Sequence, residues 1–211
     1  MAIFETQNLA VGYTHGKQTT TLLSGLNLSL DSGQLVALLG QNGAGKSTLI
    51  RALTFATKPI EGKILLHGVD FDTITKSERA RLLGLVSTER IQAGALTVSE
   101  LVGLGRQPYT GFLGRLSDDD RAIVADAIRS VGMSHKAESF VANLSDGERQ
   151  KVMIARALAQ HTPIIVLDEP TASLDAKNSA AVVELIREAK ARGAAIVGIF
   201  HDEAVRNDVA D

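Results

Sequence analysis

The sequence has no cysteine and no tryptophan, and aromatic residues make up only 4% of its 211 residues. Without cysteine there is no disulfide, thiolate metal site or cysteine nucleophile, and such a composition is typical of cytosolic proteins. The scarcity of aromatic rings disfavours a stacking surface for nucleic-acid bases. The net charge of −2 lacks the basic excess of nucleic-acid-binding domains. We therefore expect a cytoplasmic protein whose partners do not include nucleic acid.

Long apolar runs are absent as well. No stretch approaches the roughly 20 apolar residues of a membrane-spanning helix. The first ten residues, MAIFETQNLA, lack the basic and apolar regions of a secretory signal. With 45% hydrophobic residues, the chain is long enough for one α/β domain with a substantial core. We expect a single domain over residues 1–211.

The motif GQNGAGKS at residues 40–47 fits the phosphate-binding pattern G-x-x-x-x-G-K-[ST]. Its glycines let the backbone turn its N–H groups towards a phosphate, and the following helix adds the positive end of its dipole. Lys46 is placed to reach the β- and γ-phosphates, and Ser47 to ligate Mg²⁺. The residues that we assign to nucleotide binding here are Gly40, Gln41, Asn42, Gly43, Ala44, Gly45, Lys46, Ser47 and Thr48.

Asp168 and Glu169 follow the apolar run IIVL. At the carboxyl end of a parallel strand they would face a ligand crevice. There Asp168 can hold Mg²⁺, and Glu169 can orient or deprotonate an attacking water. His201 follows another apolar run and could reach a γ-phosphate in the same way. The alternative is that these side chains are solvated groups at strand ends.

Residues 144–150, LSDGERQ, contain the S-x-x-E spacing of a capping box, which predicts a helix that begins after Ser145. A well-capped helix is the simplest interpretation. The functional one is a second phosphate-binding surface at Ser145 and Gly147. Because Asp146 and Glu148 would repel a phosphate, we expect them to face away from it or to cap backbone N–H groups.

Predicted strands and helices alternate at both ends of the chain, which indicates a parallel α/β sheet. Between about residues 89 and 143, helical patterns predominate and predict an insertion into a core formed by 1–88 and 144–211. The predicted strands lie at 26–30, 35–39, 63–66, 82–86, 164–167 and 195–200. The predicted helices lie at 48–56, 98–104, 119–131, 145–160 and 176–192.

Together, the motifs resemble the nucleotide-binding domain of ATP-binding cassette (ABC) proteins over the whole chain. In that order, Tyr13 resembles the aromatic A-loop residue, 40–47 Walker A, Thr88 the Q-loop position, 144–150 the signature, 164–169 Walker B, 173–175 the D-loop and His201 the H-loop. The resemblance implies a RecA-like P-loop NTPase fold with an N-terminal antiparallel β part and an inserted helical subdomain.

The resemblance also implies Mg²⁺-dependent ATP hydrolysis in a head-to-tail homodimer bound to transmembrane permease subunits, its only link to a membrane. Tyr13 would stack on adenine, and Ser145 and Gly147 would contact the γ-phosphate across the interface. Glu169, His201 and Lys46 would serve catalysis. Ser47, Asp168 and Thr88 would surround the metal ion.

Several features depart from the family pattern. Thr88 stands where the Q-loop has glutamine, the signature is LSDGE in place of LSGGQ, and the chain ends shortly after His201. Residues 1 to about 165 look most like importer ATPases for iron-siderophore, haem or cobalamin. Residues 167–211 are similar to the ABC-type accessory subunit of the phosphonate carbon–phosphorus lyase system. This split predicts either an importer ATPase, an accessory protein of phosphonate metabolism, or an engineered chimeric domain with weak activity.

Overall fold

The computed structural model describes residues 2–16, 18–41, 43–87, 95–111, 114–172, 174–200 and 202–211. Its strands are β1 Phe4–His15, β2 Gln18–Leu26, β3 Ser29–Leu30, β4 Leu35–Leu38, β5 Glu61–Leu66, β6 Val69–Asp70, β7 Leu83–Ser87, β8 Ile164–Asp168 and β9 Ala195–Ile199. Its helices are α1 Lys46–Leu53, α2 Lys76–Leu82, α3 Val98–Gly103, α4 Asp118–Ser130, α5 Asp146–Gln160, α6 Ala176–Ala191 and α7 Glu203–Val209.

Two sheets make up the β structure of the described residues. The N-terminal sheet is antiparallel: β1 pairs with β2, β3 and β5, and β5 pairs with β6. The second sheet has the order β4-β9-β8-β7 and is parallel throughout. The parallel α/β sheet expected from the alternation of elements is therefore confirmed. The single strand predicted at 26–30 is wrong, because β2 ends at Leu26 and β3 covers only Ser29–Leu30, and the antiparallel part is larger than that pattern indicates.

The parallel sheet is buried on both faces, which is why its strands are continuous apolar runs. In β8, Ile165 and Leu167 face one core cluster, whereas Ile164 faces the other. The first cluster packs the sheet against α3, α4, α5 and α6. The second packs it against α1 and the antiparallel sheet. This alternation with period two gives three layers, with the parallel sheet in the middle.

Three helices of the middle and second half of the chain begin with a capping box. Thr97 and Glu100 start α3, Ser117 and Asp120 start α4, and Ser145 and Glu148 start α5. In each case the hydroxyl accepts from the backbone N–H three residues later, and the acidic side chain accepts from the N–H of the capping residue. The helices predicted at 98–104, 119–131 and 145–160 are thus confirmed within two residues.

A buried ion pair fixes the segment between α3 and α4 to the carboxyl end of α5. The Arg106 guanidinium donates to Asp120 at 2.8 Å and to the Ala159 carbonyl at 2.8 Å, and both charged side chains are about 10% exposed or less. The guanidinium also stacks on Tyr109, 4.0 Å from the ring centroid. Tyr109 in turn donates to the carbonyl of Gln160 at 2.9 Å. Two of the last carbonyls of α5 therefore find side-chain donors.

Some elements have no counterpart among the predicted ones. The hairpin of β1 and β2 and the short helices α2 and α7 were not predicted individually. At β4, the backbone of Asp211 donates to the Leu35 carbonyl at 3.1 Å, and its carboxylate accepts from the Leu35 N–H at 2.7 Å. The last residue of the sequence therefore pairs with a strand of the parallel sheet.

Among the described residues, no helix combines the length and apolar character needed to cross a bilayer.

The buried pair gives a stability prediction. Replacing Arg106 by Ala leaves the Asp120 carboxylate without its guanidinium partner and removes a donor from the end of α5, so we expect the melting temperature to fall by about 5 °C or more. Arg121→Ala is the control, because Arg121 pairs with Asp118 on the surface at 2.9 Å. Thermal unfolding followed by circular dichroism tests this. Equal melting temperatures of the two variants would contradict it.

Candidate nucleotide-binding site

The phosphate loop lies between β4 and α1 and depends on left-handed backbone at glycine. Gly43 and Gly45 have φ values of +82° and +86°, and Gly45 is the N-cap of α1. A side chain at residue 45 would be strained by this φ, and its Cβ would lie 3.2 Å from Cβ of Leu22. The loop therefore needs glycine here both for its backbone and for its contact with β2.

The backbone N–H groups of the loop are available to an anion. Within the part of the chain that the structure describes, the N–H groups of Gly45, Lys46, Ser47 and Thr48 make no hydrogen bond. Helix starts leave such donors without an intrahelical partner, and the helix dipole adds positive potential. The first turn of α1 contains no acidic residue. The start of α1 therefore fits a phosphate group.

The Lys46 amine closes the loop. It donates to the carbonyl of Gly40 at 2.5 Å and to the carbonyl of Gln41 at 2.9 Å. The N–H of Ala44 donates to the carbonyl of Gln41 at 3.2 Å, which tightens the turn. Ser47 is exposed on the first turn of α1, and Thr48 is half-buried. The amine thus lies over the loop, bound to backbone oxygens that phosphate oxygens can replace.

Tyr13 projects from the hairpin of β1 and β2, with 57% of its surface exposed. It pairs with Thr20, only two residues before Leu22, whose side chain packs against Gly45. Since a strand advances about 3.4 Å per residue, Tyr13 lies roughly 7 Å along the hairpin from the residue that contacts the phosphate loop. Its exposure leaves the ring face open to a planar ligand.

The acidic strand end opens at the same edge of the sheet as the phosphate loop. Leu38 of β4 pairs with Ile199 of β9, and Ile199 pairs with Asp168 of β8. Two strand spacings of about 4.8 Å therefore separate Asp168 from Leu38, two residues before Gly40. Across the sheet, Ser87 at the end of β7 pairs with Asp168. The strand ends thus bring the phosphate loop and the acidic residues to the same edge of the sheet.

Glu169 has an unusual backbone conformation. Its φ of +54° lies in the left-handed region, which a non-glycine residue occupies at some cost. Its N–H donates to the Ile199 carbonyl at 3.1 Å, and its carbonyl accepts from the Ala172 N–H at 3.0 Å. Both backbone polar groups of Glu169 are therefore hydrogen-bonded, and these bonds hold the turn after β8 in place.

At the start of α5, both acidic side chains pair with donors of the same chain. The Glu148 carboxylate accepts from the Ser145 N–H at 3.0 Å and from the Lys136 amine at 2.6 Å. Asp146 accepts from Arg149 at 3.1 Å. Glu148 caps a backbone N–H group, as we expect from the sequence. Asp146 instead pairs with a neighbouring cation.

Gly147 lies against α6 and keeps a donor available. A Cβ at this position would approach the Asn178 side-chain nitrogen to 2.8 Å, so the contact leaves little room for a side chain. The Asn178 amide also donates to Asp175, the N-cap of α6, at 3.0 Å. Among the described residues, no hydrogen-bond partner is found for the Gly147 N–H. The start of α5 thus has a backbone donor for an anion.

The hydrogen bonds at Glu148 change its acidity. Donation by the Lys136 amine, and next by the Ser145 N–H, lowers the pKa of the Glu148 carboxyl from 4.5 to about 2, although burial opposes this shift. The carboxylate is therefore charged at any physiological pH, and its charge is balanced by Lys136.

Some of the predicted site residues lie outside the described residues, and the two predicted phosphate-binding segments are not joined by a hydrogen bond between described residues. Asn42, Thr88 and His201 fall outside the described residues, as does Ser173 of the expected D-loop. Among hydrogen bonds between described residues, none joins 40–48 to 144–150. Nor does a group of three or more histidine or acidic residues suited to a metal ion occur in the described ranges.

Three contacts of the site were not foreseen: Leu22 beneath Gly45, Lys136 on Glu148, and Asn178 against Gly147. Each joins segments far apart in sequence or on different elements. Only the contact of Lys136 with Glu148 had a signal in the sequence, because the two acidic residues of LSDGE favour a cation nearby.

Comparison with known proteins assigns this architecture to a family. Residues 23–172 match the family described as ABC transporter. An uncharacterized ABC transporter ATP-binding protein of Methanocaldococcus jannaschii is 38% identical over 210 residues, which cover 99% of this chain and 71% of that protein. This single relative spans both segments of the chain, so it gives no support to the hypothesis of a joined chimera.

Two further similarities concern function and state. The iron(3+)-hydroxamate import ATP-binding protein of Bacillus subtilis is 34% identical over 203 residues, covering 96% of this chain and 74% of that protein. A solved dimeric structure of an ATP-binding cassette, in a post-hydrolysis state with ADP and Pi, matches with a TM-score of 0.83 and 27% identity. That match covers 98% of this chain and 91% of the other.

The acidity of Glu148 leads to a prediction for stability against pH. Because its pKa is lower in the folded chain, Glu148 contributes stability above about pH 4.5, and this contribution is lost as the pH falls towards 2. We expect Glu148→Gln to weaken the fall in urea midpoint between pH 5 and pH 3. Glu184→Gln, on the surface of α6, is the matched control. An unchanged pH dependence in Glu148→Gln would refute this.

Proposed function

The chain belongs to the ABC transporter family and contains the ATPase domain of that family, and from this premise we propose that it is the ATP-hydrolysing subunit of an importer for iron-siderophore, haem or cobalamin compounds. The iron(3+)-hydroxamate import relative supports the substrate class. The observation that favours nucleotide turnover most directly is that the phosphate loop, with its available N–H groups, and the acidic end of β8 lie at the same edge of the sheet.

In the proposed mechanism, the N–H groups of 45–48 bind the phosphates. Lys46 exchanges the carbonyls of Gly40 and Gln41 for β- and γ-phosphate oxygens. The terminal phosphate would then lie beside the end of β8. Glu169, held by its turn, then orients the attacking water and accepts its proton. His201, which follows β9, would contact the γ-phosphate from the neighbouring strand.

A magnesium ion fits the donor types at this edge. The Ser47 hydroxyl and the Asp168 carboxylate offer the hard oxygen ligands that Mg²⁺ prefers, and water and phosphate oxygens complete such sites. Thr88, directly after β7 and Ser87, would supply a further hydroxyl. The ion would neutralise charge that develops on the transferred phosphoryl group.

The signature segment would act on a second molecule. The Gly147 N–H is an available donor, and Ser145 is exposed beside it, so both can bind the γ-phosphate held by a partner copy. Tyr13 would stack on the adenine, next to the loop that binds the phosphates. We therefore propose a homodimer with two ATP molecules at its interface, which the dimeric cassette with ADP and Pi supports as a precedent.

The subunit would work at the cytoplasmic face of a membrane, where permease subunits bind it. We propose that residues 1–88 and 144–211 form the catalytic core and that 89–143 form an inserted helical subdomain. The helices of this segment share their core cluster with the parallel sheet, so movement at the sheet edge would be passed to them.

The proposed chemistry predicts a turnover that depends on dimerisation. The ATPase rate per chain should rise with protein concentration, because each active site needs Ser145 and Gly147 of a second copy. The rate should also require Mg²⁺. Glu169→Gln should lower the rate to near background, a loss of about 10²-fold or more. The same variant should accumulate as an ATP-bound dimer in size-exclusion chromatography.

The control is Glu184→Gln, a change of the same type far from the crevice. A rate per chain that is independent of concentration would count against the shared site. Wild-type turnover in Glu169→Gln would rule out the proposed role of Glu169.

A further inference from the structure

Two acidic side chains stand at the start of α5, where the proposed function places the γ-phosphate of a partner copy. Each has its own cation. Asp146 pairs with Arg149 at 3.1 Å, and Glu148 pairs with Lys136 at 2.6 Å. The formal charges of these four side chains cancel. The phosphate would therefore meet a surface without net charge that still offers backbone N–H donors.

We propose that Lys136 is a positioning residue of the ATPase site, which neutralises Glu148 and holds its carboxylate away from the phosphate that binds Ser145 and Gly147. This inference rests on the proposed function. It concerns a residue outside the phosphate loop, the acidic strand end and the signature segment itself.

The geometry divides the two oxygens of Glu148 between two tasks. Oε2 accepts from the N–H and the hydroxyl of Ser145, whereas Oε1 accepts from Lys136. Lys136 lies in the turn Ser134–Lys136 and so ties α5 to the preceding helical segment. No other cation is seen to bond Glu148 within the described ranges. Lys136 is therefore the group that fixes Oε1.

The pair is sheltered enough for its charge to matter. The side chains of Lys136 and Glu148 are 33% and 26% exposed, so bulk water and salt screen them less than a surface pair. The low pKa of Glu148 keeps the carboxylate charged. If Lys136 were removed, a negative charge would remain close to the place where another negative charge must bind, and ATP affinity would fall.

Arg149 already has two hydrogen-bond partners and does not take the place of Lys136 on Glu148. Its guanidinium donates to Asp146 and to the Leu144 carbonyl at 3.2 Å. A neutral residue at position 136 would therefore leave the repulsion uncompensated, while the groups that touch the reacting atoms stay in place. The expected effect falls on binding of ATP more than on the chemical step.

The test is steady-state ATPase kinetics at a fixed protein concentration, with wild type and five variants. We expect Lys136→Met to raise the KM for MgATP about tenfold and to change kcat by about twofold or less. Lys136→Arg keeps the charge and should resemble wild type. The double variant Lys136→Met/Glu148→Gln should have the KM of Glu148→Gln alone, because the repelling charge is gone. Lys63→Met removes a comparable ion pair with Asp70, at 3.2 Å between β5 and β6, and should leave KM unchanged.

Each outcome decides between roles. An unchanged KM in Lys136→Met overturns the inference, as does a raised KM that persists in the double variant, since that would indicate a packing role. If Lys136→Met melts too low for kinetics, Lys136→Gln is measured with its own Glu148→Gln partner by the same criterion. If wild type shows no turnover at any protein concentration, the proposed function fails first, and the inference falls with it.

Discussion

The nucleotide site depends on the register of three parallel strands. β9 lies between β4 and β8, with Ile199 paired to Leu38 on one side and to Asp168 on the other. This alignment brings the end of β4, which leads into the phosphate loop, level with the end of β8, which leads into the acidic turn. A shift by one residue would move Ile196 out of the first core cluster and onto the face where Ala195 and Val197 pack in the second, so the packing of the two clusters favours the observed register.

Burial of the parallel sheet on both faces also explains how the antiparallel sheet comes to support the phosphate loop. One face of the parallel sheet packs against α1 and the antiparallel sheet, so β2 comes to lie under the start of α1. Leu22 then contacts Gly45, and Tyr13 is carried to the side of the loop on the same hairpin. The other face packs against α3 to α6 and positions the start of α5. Both proposed phosphate-binding segments are thus helix starts supported by opposite faces of one sheet.

Sequence patterns predicted those parts of the site that are formed by consecutive residues. The loop GQNGAGKS, the run IIVLDE and the spacing of Ser145 and Glu148 each specify a local structure, and the structure has a helix start, a buried strand and a capping box at these places. Contacts between distant segments were not predictable, because neither periodicity nor capping rules say which side chains meet. Lys136 on Glu148 and Arg106 on Asp120 are of this kind. The left-handed φ of Glu169 also had no local signal, since glutamate does not favour that region.

In the proposed role, the hydrogen bonds of Ser145 would limit how the signature segment binds a phosphate. Its hydroxyl oxygen accepts from the Glu148 N–H at 3.3 Å, and its proton is directed to Oε2 of Glu148 at 3.1 Å. To donate to a phosphate oxygen, the hydroxyl must turn that proton away from Glu148. The carboxylate then keeps the Ser145 N–H and the Lys136 amine, so it loses one of its three donors and remains compensated. In a chain with glutamate in this position, the lysine on the neighbouring turn therefore allows the serine hydroxyl to change partner without leaving a sheltered charge unpaired.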